Sequence, residues 1–213
     1  IEKLKLEKQL LGFYLSDHPL KHLTKPAKLV SPISISKLEE SRDRAKVSLV
    51  GMIPELKQIT TRKGDRMAIV QLEDLSGSCE AIVFPKIYSR LSEFLLTDTR
   101  LLVWGTIDKK SDKTQLIIDD CREIDNLKLL VIELDSFQAS DIRIQNTIRD
   151  CLVKFKPDRD KCGIKIPVLA AVRNNDSITY VKFGDQFCVG DILGVSKLLI
   201  EKSFRVNLKS LVS

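Results

Sequence analysis

The 213-residue chain contains no stretch of about 18 uncharged apolar residues, the length that a membrane-crossing helix needs. Its opening residues lack the basic, apolar and small-residue pattern of a signal peptide. Both absences predict a soluble, cytoplasmic protein with no membrane partner. Histidine is scarce. His18 and His22 are the only two, Pro19 stands between them, and nothing nearby completes a metal site. A Ser-His-Asp arrangement has equally little to work with. Cysteines stand at positions 79, 121, 151, 162 and 188, an odd number with no Cys-x-x-Cys pair. Reduced buried thiols are therefore expected, not a zinc ribbon or a disulfide framework. There is no Gly-x-x-x-x-Gly-Lys loop, no Gly-x-Ser-x-Gly elbow, no repeat and no low-complexity segment. The nearest approach to a two-metal clamp is the pair Glu73-Asp74 with the pair Asp119-Asp120. Adjacent residues on a strand point to opposite faces, so neither pair suits two ions about 4 Å apart. The reading is of a segment with no catalytic residue, no metal ligand and no cofactor of its own.

What is present supports a folded core. Hydrophobic residues make up 43% and charged residues 30%, an ordinary globular balance. The net charge of +6 is unevenly spread: residues 1–44 carry +3, residues 45–126 carry −1 and residues 127–213 carry +4. Any nucleic-acid binding by the middle region must come from a local patch, since its total charge offers none.

That middle region organises the rest. Val47–Pro54, Asp65–Leu72, Ser78–Phe84, Arg100–Thr106 and Gln115–Glu123 are short runs rich in Val, Ile, Leu and aromatics, bounded by turn residues. Between the third and fourth, Pro85–Leu96 places Ile87, Leu91, Phe94 and Leu95 at helical spacing behind a proline suited to a first helical position. Three strands, a helix and two strands is the order of the OB-fold, a small five-stranded Greek-key barrel. The expected class is mixed β and α/β: a helical connector at 1–44, the OB-fold barrel at 45–126 and a small α+β domain at 127–213.

The loop between the first two strands is dense in cations and hydroxyls: Lys57, Thr60, Thr61, Arg62, Lys63 and Arg66. In OB-folds this loop flanks the oligonucleotide face, where Lys and Arg contact phosphates without reading sequence. Lys109, Lys110 and Lys113 form a second cluster in the other flanking loop. The competing reading of both is a solvated hairpin tip. Strand alternation puts Phe84 near Met67 on the outer face, the candidate stacking platform. Its place beside the helix start favours packing in the core over that platform. Trp104, between Val103 and Gly105, reads as core or barrel-end packing; Tyr88 and Arg90 are undecided between strand and solvent. Glu73-Asp74 leads into the Gly77 turn, where acidic residues serve local hydrogen bonds.

On the N-terminal side, Leu4, Leu11 and Leu15 form an apolar stripe without a start signal, as if a helix began earlier in a longer chain. It ends at Ser16-Asp17-His18-Pro19, and Ser36 is placed to cap a short helix at Lys37–Glu40. Beyond the barrel, the pattern reads strand Leu127–Leu134, helix from Ser140 or Asp141 to about Phe155, and strands Ile164–Val172 and Ile178–Phe183. Helix Val189–Ile200 and strand Phe204–Leu208 complete a βαββαβ order with helices on one face of a sheet. The apolar side of the last helix, Ile192, Leu193, Leu198 and Leu199, reads as core in preference to a docking surface.

The run Glu7-Lys8-Gln9-Leu10-Leu11-Gly12-Phe13-Tyr14-Leu15-Ser16-Asp17-His18-Pro19-Leu20 resembles a signature of the bacterial replicative DNA polymerase III alpha-subunit (C-family) chains. Asp17 stands where that family usually has glycine. The resemblance continues through Leu72-Glu73-Asp74-Leu75-Ser76-Gly77 and Val83-Phe84-Pro85, covering residues 7–125. It implies that the parent chain is a DNA-directed DNA polymerase, a nucleotidyltransferase using Mg, and that this segment is a non-catalytic part. The OB domain would bind single-stranded template DNA. The last domain would engage the clamp-loader subunit and other replisome proteins, an implication carried by position and element order alone. A free-standing single-strand-binding protein and a purely protein-binding barrel are the alternatives.

Overall fold

The structure is a computed structural model and describes residues 19–23, 28–30, 33–110, 113–158, 165–174 and 177–212. The expected helix over Ile1–Leu15, most of the Glu7–Leu20 signature, and Cys162 lie outside the described residues. The chain divides into two compact units, Ile1–Cys121 and Arg122–Ser213.

In the first unit, β1 (Lys46–Thr60), β2 (Arg66–Asp74), β3 (Gly77–Val83), β4 (Arg100–Lys110) and β5 (Lys113–Glu123) close into a barrel of order β1-β2-β3-β5-β4. This is the five-stranded OB architecture that the element order predicted. Strand β1 is 15 residues long, nearly twice the expected run, because it serves two partners. Lys46–Met52 pair with β4 and Met52–Thr60 with β2, with a register irregularity between Met52 and Glu55. Pro54 falls inside that irregularity, where its missing N–H costs no ladder bond. The bend lets one strand turn the corner of the barrel. Closure also needs close approach of β4 and β5: a Cβ on Gly105 would stand 2.5 Å from the Ile117 carbonyl oxygen and 2.9 Å from Leu116 Cγ.

The alternation of β2 and β3 is the one the sequence predicts. Ala68, Val70, Leu72, Ala81 and Val83 face inward, fully buried with Leu49, Ile53, Leu101, Val103, Leu116 and Ile118. Each large aliphatic side chain so buried contributes roughly 1.5–3 kcal/mol. Helix α1 (Pro85–Leu91) closes one end of the barrel with Tyr88 and Leu91, followed by Leu95. It is shorter than Pro85–Leu96, giving way to turns after Leu91. At the other end a 3-10 turn, Ile35–Lys37, supplies Ile35 and, just after it, Leu38. It replaces the helix expected at Lys37–Glu40.

Asp74 ties that end together. Its Oδ1 accepts from Ser76 N (2.7 Å), Ser76 Oγ (2.6 Å) and Gly77 N (3.1 Å), and its Oδ2 accepts from Ile35 N (2.8 Å). Ser36 N donates to Ser76 Oγ at 3.0 Å. The carboxylate thus shapes the β2–β3 turn and fastens the plug to it. Gly77 sits at φ +157°, at the edge of the region that favours glycine.

Trp104 is buried, as expected, but not inside the barrel. It pairs with Ser48 on the outward register of β1 and β4, alongside buried Val50 and Leu102. Ser48 Oγ donates to the Val30 carbonyl at 3.3 Å, and Leu20, Leu23 and Val30 are buried as well.

In the second unit, β6 (Lys128–Asp135), β7 (Val168–Asn174), β8 (Ser177–Lys182) and β9 (Arg205–Ser210) form a sheet of order β8-β7-β6-β9, with β6 and β7 parallel. Helices α2 (Ser136–Ser140), α3 (Ile142–Lys154) and α4 (Ile192–Glu201) complete the unit. Leu130, Ile132, Val168 and Ala170 share a core with Ile148, Cys151, Leu152, Val195 and Leu199 of α3 and α4. The order is therefore the predicted βαββαβ, with one difference. Asp135 makes a capping box with Gln138 and starts a separate five-residue helix before Asp141 caps α3. Asp191 caps α4, and Leu199 is buried, but Leu193 is 78% exposed and so is not core. Its position beside the cap turns it away from the face that Val195 and Leu199 bury.

Candidate nucleic-acid interface

The hairpin between β1 and β2 is rigidly shaped. Gly64 N donates to the Thr61 carbonyl (2.9 Å), Thr61 N to the Asp65 carbonyl (2.8 Å), and Asp65 N to Thr61 Oγ1 (3.1 Å). Gly64 takes φ +86°, which any other residue would adopt under strain. Arg62 and Lys63 are left at the tip, both exposed. Thr60 pairs with Arg66 at the mouth of the hairpin, and Lys57 pairs with Ile69 on the outer face. Lys57, Thr60 and Arg66 are all exposed.

Strand register carries Phe84 to the same end. Ala68 pairs with Val83, so Phe84 follows beside Met67. At 45% exposed it stays out of the core that its place beside the helix start favoured, because it is the extended residue that precedes α1. Arg66 also borders a concavity of about 670 Å³ lined by Gln58, Lys86, Tyr88 and Ser89. Lys86 was not singled out from the sequence. The signal was available, since Pro85-Lys86 opens the helix directly after strand three. Tyr88 lines that hollow while being largely buried, and Arg90 Nη2 donates to the Asp119 carbonyl at 3.2 Å.

The second cationic cluster does not join this one. Register puts Lys113 level with Ser78 and Arg66 level with Pro85 along β3. Seven residues of strand separate the two levels, about 23 Å. Lys109 is also engaged elsewhere: its N–H donates to Asp43 Oδ1 (2.9 Å) and its Nζ to the Glu39 carbonyl (2.6 Å). Lys113 is exposed at the start of β5; Lys110 ends β4, and its side chain lies outside the described residues. Between the two ends the outer face holds Ile69, Gln71, Glu73, Glu80, Ile82 and Ile117. Cations thus sit at the ends, and acids and aliphatics occupy the middle.

The two acidic pairs do not converge. Glu73 pairs with Ser78, whereas Asp119 is level with Phe84, about 20 Å away along the strand. Asp74 is committed to its turn, Asp119 Oδ2 accepts from Thr106 Oγ1 (3.0 Å), and Asp120 Oδ1 accepts from Cys121 N (2.9 Å). Among the described residues, no group of three or more His, Cys, Asp or Glu is placed to hold a metal ion, and no helix is long and apolar enough to cross a membrane. The residues present do not fit the Mg that the resemblance implies for a polymerase centre. Burial, with a smaller push from the Asp74 charge, raises the Cys79 thiol to about 12.

Comparison with known proteins agrees with this architecture. A family described as an OB-fold nucleic acid binding domain (tRNA anti-codon) matches residues 47–124. The DNA polymerase III alpha subunit of Aquifex aeolicus is 31% identical over 194 residues, covering 88% of this chain and 15% of that protein. The Bacillus subtilis alpha subunit is 28% identical over 193 residues, covering 84% of this chain and 17% of that protein. Among solved structures, the second OB-fold domain of replication protein A from Methanococcus maripaludis superposes with a TM-score of 0.34 at 14% identity. It covers 44% of this chain and 95% of that one. The chain therefore spans about a sixth of the length of the curated relatives it matches. Kinship over the barrel and beyond it places the chain in the DNA polymerase III alpha-subunit family, as a segment that carries the OB-fold domain.

Proposed function

We propose that the OB domain holds single-stranded DNA, without sequence preference, for a parent chain that is a DNA-directed DNA polymerase acting in the cytoplasm. The observation that carries this is the cationic end of the barrel. Lys57, Arg62, Lys63 and Arg66 project from a hairpin fixed by its own hydrogen bonds, with Phe84 exposed at the same end. Guanidinium and ammonium groups there meet phosphates, and the Phe84 ring offers one base a stacking surface. The reach of the second cluster is limited to Lys110 and Lys113, since Lys109 is tied to residues 39 and 43. The segment does no chemistry in this reading. Its second unit makes contacts with replisome proteins, including the clamp-loader subunit.

The test is a fluorescence-anisotropy titration of labelled single- and double-stranded oligonucleotides at two salt concentrations. Arg62→Ala with Lys63→Ala is expected to weaken single-strand binding. It should also flatten the dependence of log affinity on log salt by about 1.4, at roughly 0.7 per lost phosphate contact. Unchanged affinity in the double variant removes the hairpin from the site. The acidic middle of the face, with Glu73 and Glu80, favours a second reading in which the barrel docks a basic protein partner. Absence of any single-strand binding at low salt would select that reading.

A further inference from the structure

Leu130 and Ile132 of β6 pack on the helices of the second unit, and the opposite face of the sheet is buried at Leu129, Val131 and Leu169 and opens to solvent toward Arg173, Tyr180 and Arg205. Across it, Arg205 of β9 pairs with Glu133 of β6, Glu133 with Ala171 of β7, and Ala171 with Tyr180 of β8. Side chains in such a row project to the same side of the sheet. They line a concavity of about 380 Å³ with Arg173 and Lys209, floored by buried Val131 and Ala171. That volume lies within the range of sites that take a small ligand, about 300–1,000 Å³.

The charges of this hollow are sorted by what already holds them. Its two carboxylates are in use: Glu133 Oε1 accepts from Asn207 Nδ2 at 2.7 Å, and Asp135 caps α2 through the backbone N–H of Gln138 at 2.7 Å. Arg173 and Arg205 are exposed and make no ion pair among the described residues. Lys209 Nζ donates to the Tyr180 hydroxyl at 2.8 Å and stands 5.2 Å from the centre of its ring. The ring is thus held in a fixed orientation, which lowers the entropy lost when something stacks on it. Fixed aromatic, planar guanidiniums and a flat strand platform are the parts that four-stranded sheets use to bind single-stranded nucleic acid. The +4 charge of residues 127–213, against −1 for residues 45–126, fits a polyanion.

We propose that the exposed part of this sheet face is a second single-strand-binding surface, with Arg173 and Arg205 on phosphates and a base against Tyr180. It is independent of the barrel hairpin and does not need that reading to hold. An acidic peptide would satisfy the two arginines but would leave the oriented ring unused, so nucleic acid is the better fit.

The experiment uses the full chain and a labelled ten-residue oligo-thymidylate, in the wild type and in the Arg62→Ala/Lys63→Ala background. In the Arg62→Ala/Lys63→Ala background, adding Arg173→Ala and Arg205→Ala is expected to weaken binding at least fivefold and to flatten the salt dependence by about 1.4. Tyr180→Ala should weaken it severalfold, whereas Tyr180→Phe, which keeps the ring but loses the Lys209 bond, should fall between the two. All three positions are at least partly exposed, so melting curves should be unaltered. Equal binding with and without the two arginine substitutions in that background would overturn the proposal. Displacement of the oligonucleotide from the hairpin variant by oligo-glutamate at equal charge concentration would also overturn it, in favour of a protein partner. A platform effect without a hairpin effect would refute the barrel site and leave this one standing.

Discussion

Replacing Asp74 by alanine should loosen the barrel at the end where its plug is fastened. Four donors converge on that carboxylate: Ile35 N, Ser76 N, Ser76 Oγ and Gly77 N. A hydrogen bond to a charged group contributes roughly 1.5–3 kcal/mol, and less where water can replace the lost partner. The three bonds within the Ser76–Gly77 turn are exposed and rehydrate; the bond to Ile35 N is half-buried and does not fully. The sum comes to about 2–4 kcal/mol. For a domain of this size each kcal/mol moves Tm by about 4–8 °C, so a fall of about 8–32 °C is expected. Trp104 is the single tryptophan and belongs to the first unit, where it is buried, so its fluorescence reports on melting of that unit. Asp74→Asn, which keeps an acceptor oxygen but not the charge, should fall between. Ser78→Ala, at an exposed neighbour, should shift Tm by no more than about 0.5 kcal/mol warrants. A change below about 5 °C for Asp74→Ala would show that the turn and plug hold without the carboxylate, and would refute the reasoning.

Gly105→Ala should cost about 1–3 kcal/mol, because its new methyl would meet the Ile117 carbonyl at 2.5 Å and Leu116 Cγ at 2.9 Å; urea unfolding followed by Trp104 fluorescence measures it. Cys79, raised to about 12 by burial and then by the Asp74 charge, should resist iodoacetamide at pH 8 in the folded protein and react once denatured, as peptide mass spectrometry would read. The Asp141 carboxyl is held below its ordinary range, first by the Arg143 backbone N–H and then by the Arg143 side chain. Its capping of α3 is therefore present above the ordinary carboxylate range and lost as pH falls through the lowered value. Helical circular dichroism at acid pH should decline less steeply in Asp141→Asn than in the wild type, and identical profiles would contradict this.

The barrel was legible from the sequence because it rests on local patterns that burial then enforces. Ala68, Val70 and Leu72 alternate with Met67, Ile69 and Gln71, and one face had to become the core. Turn residues and the helix-forming run after Pro85 set the element order, and that order left few closed topologies. The caps were legible only in part: the sequence offered Ser140 or Asp141 for α3, and it began the last helix at Val189, whereas Asp141 and Asp191 are the residues whose carboxylates take the first free N–H groups. Chain neighbours alone did not reveal which elements meet across the sheet. The double partnership of β1 and the bond from Asp74 to Ile35, 39 residues away, are tertiary facts. The same holds for the fate of the charges. Lys109 and Arg62 are both cations in flanking loops, yet one is bonded to Glu39 and the other is left at a hairpin tip. Arg173, Tyr180, Arg205 and Lys209 carry no motif, because pairing of four strands is what brings them together. Sequence determined the fold and the kinds of side chain on offer, through periodicity and turn chemistry. Only long-range strand pairing decided which of them share a surface.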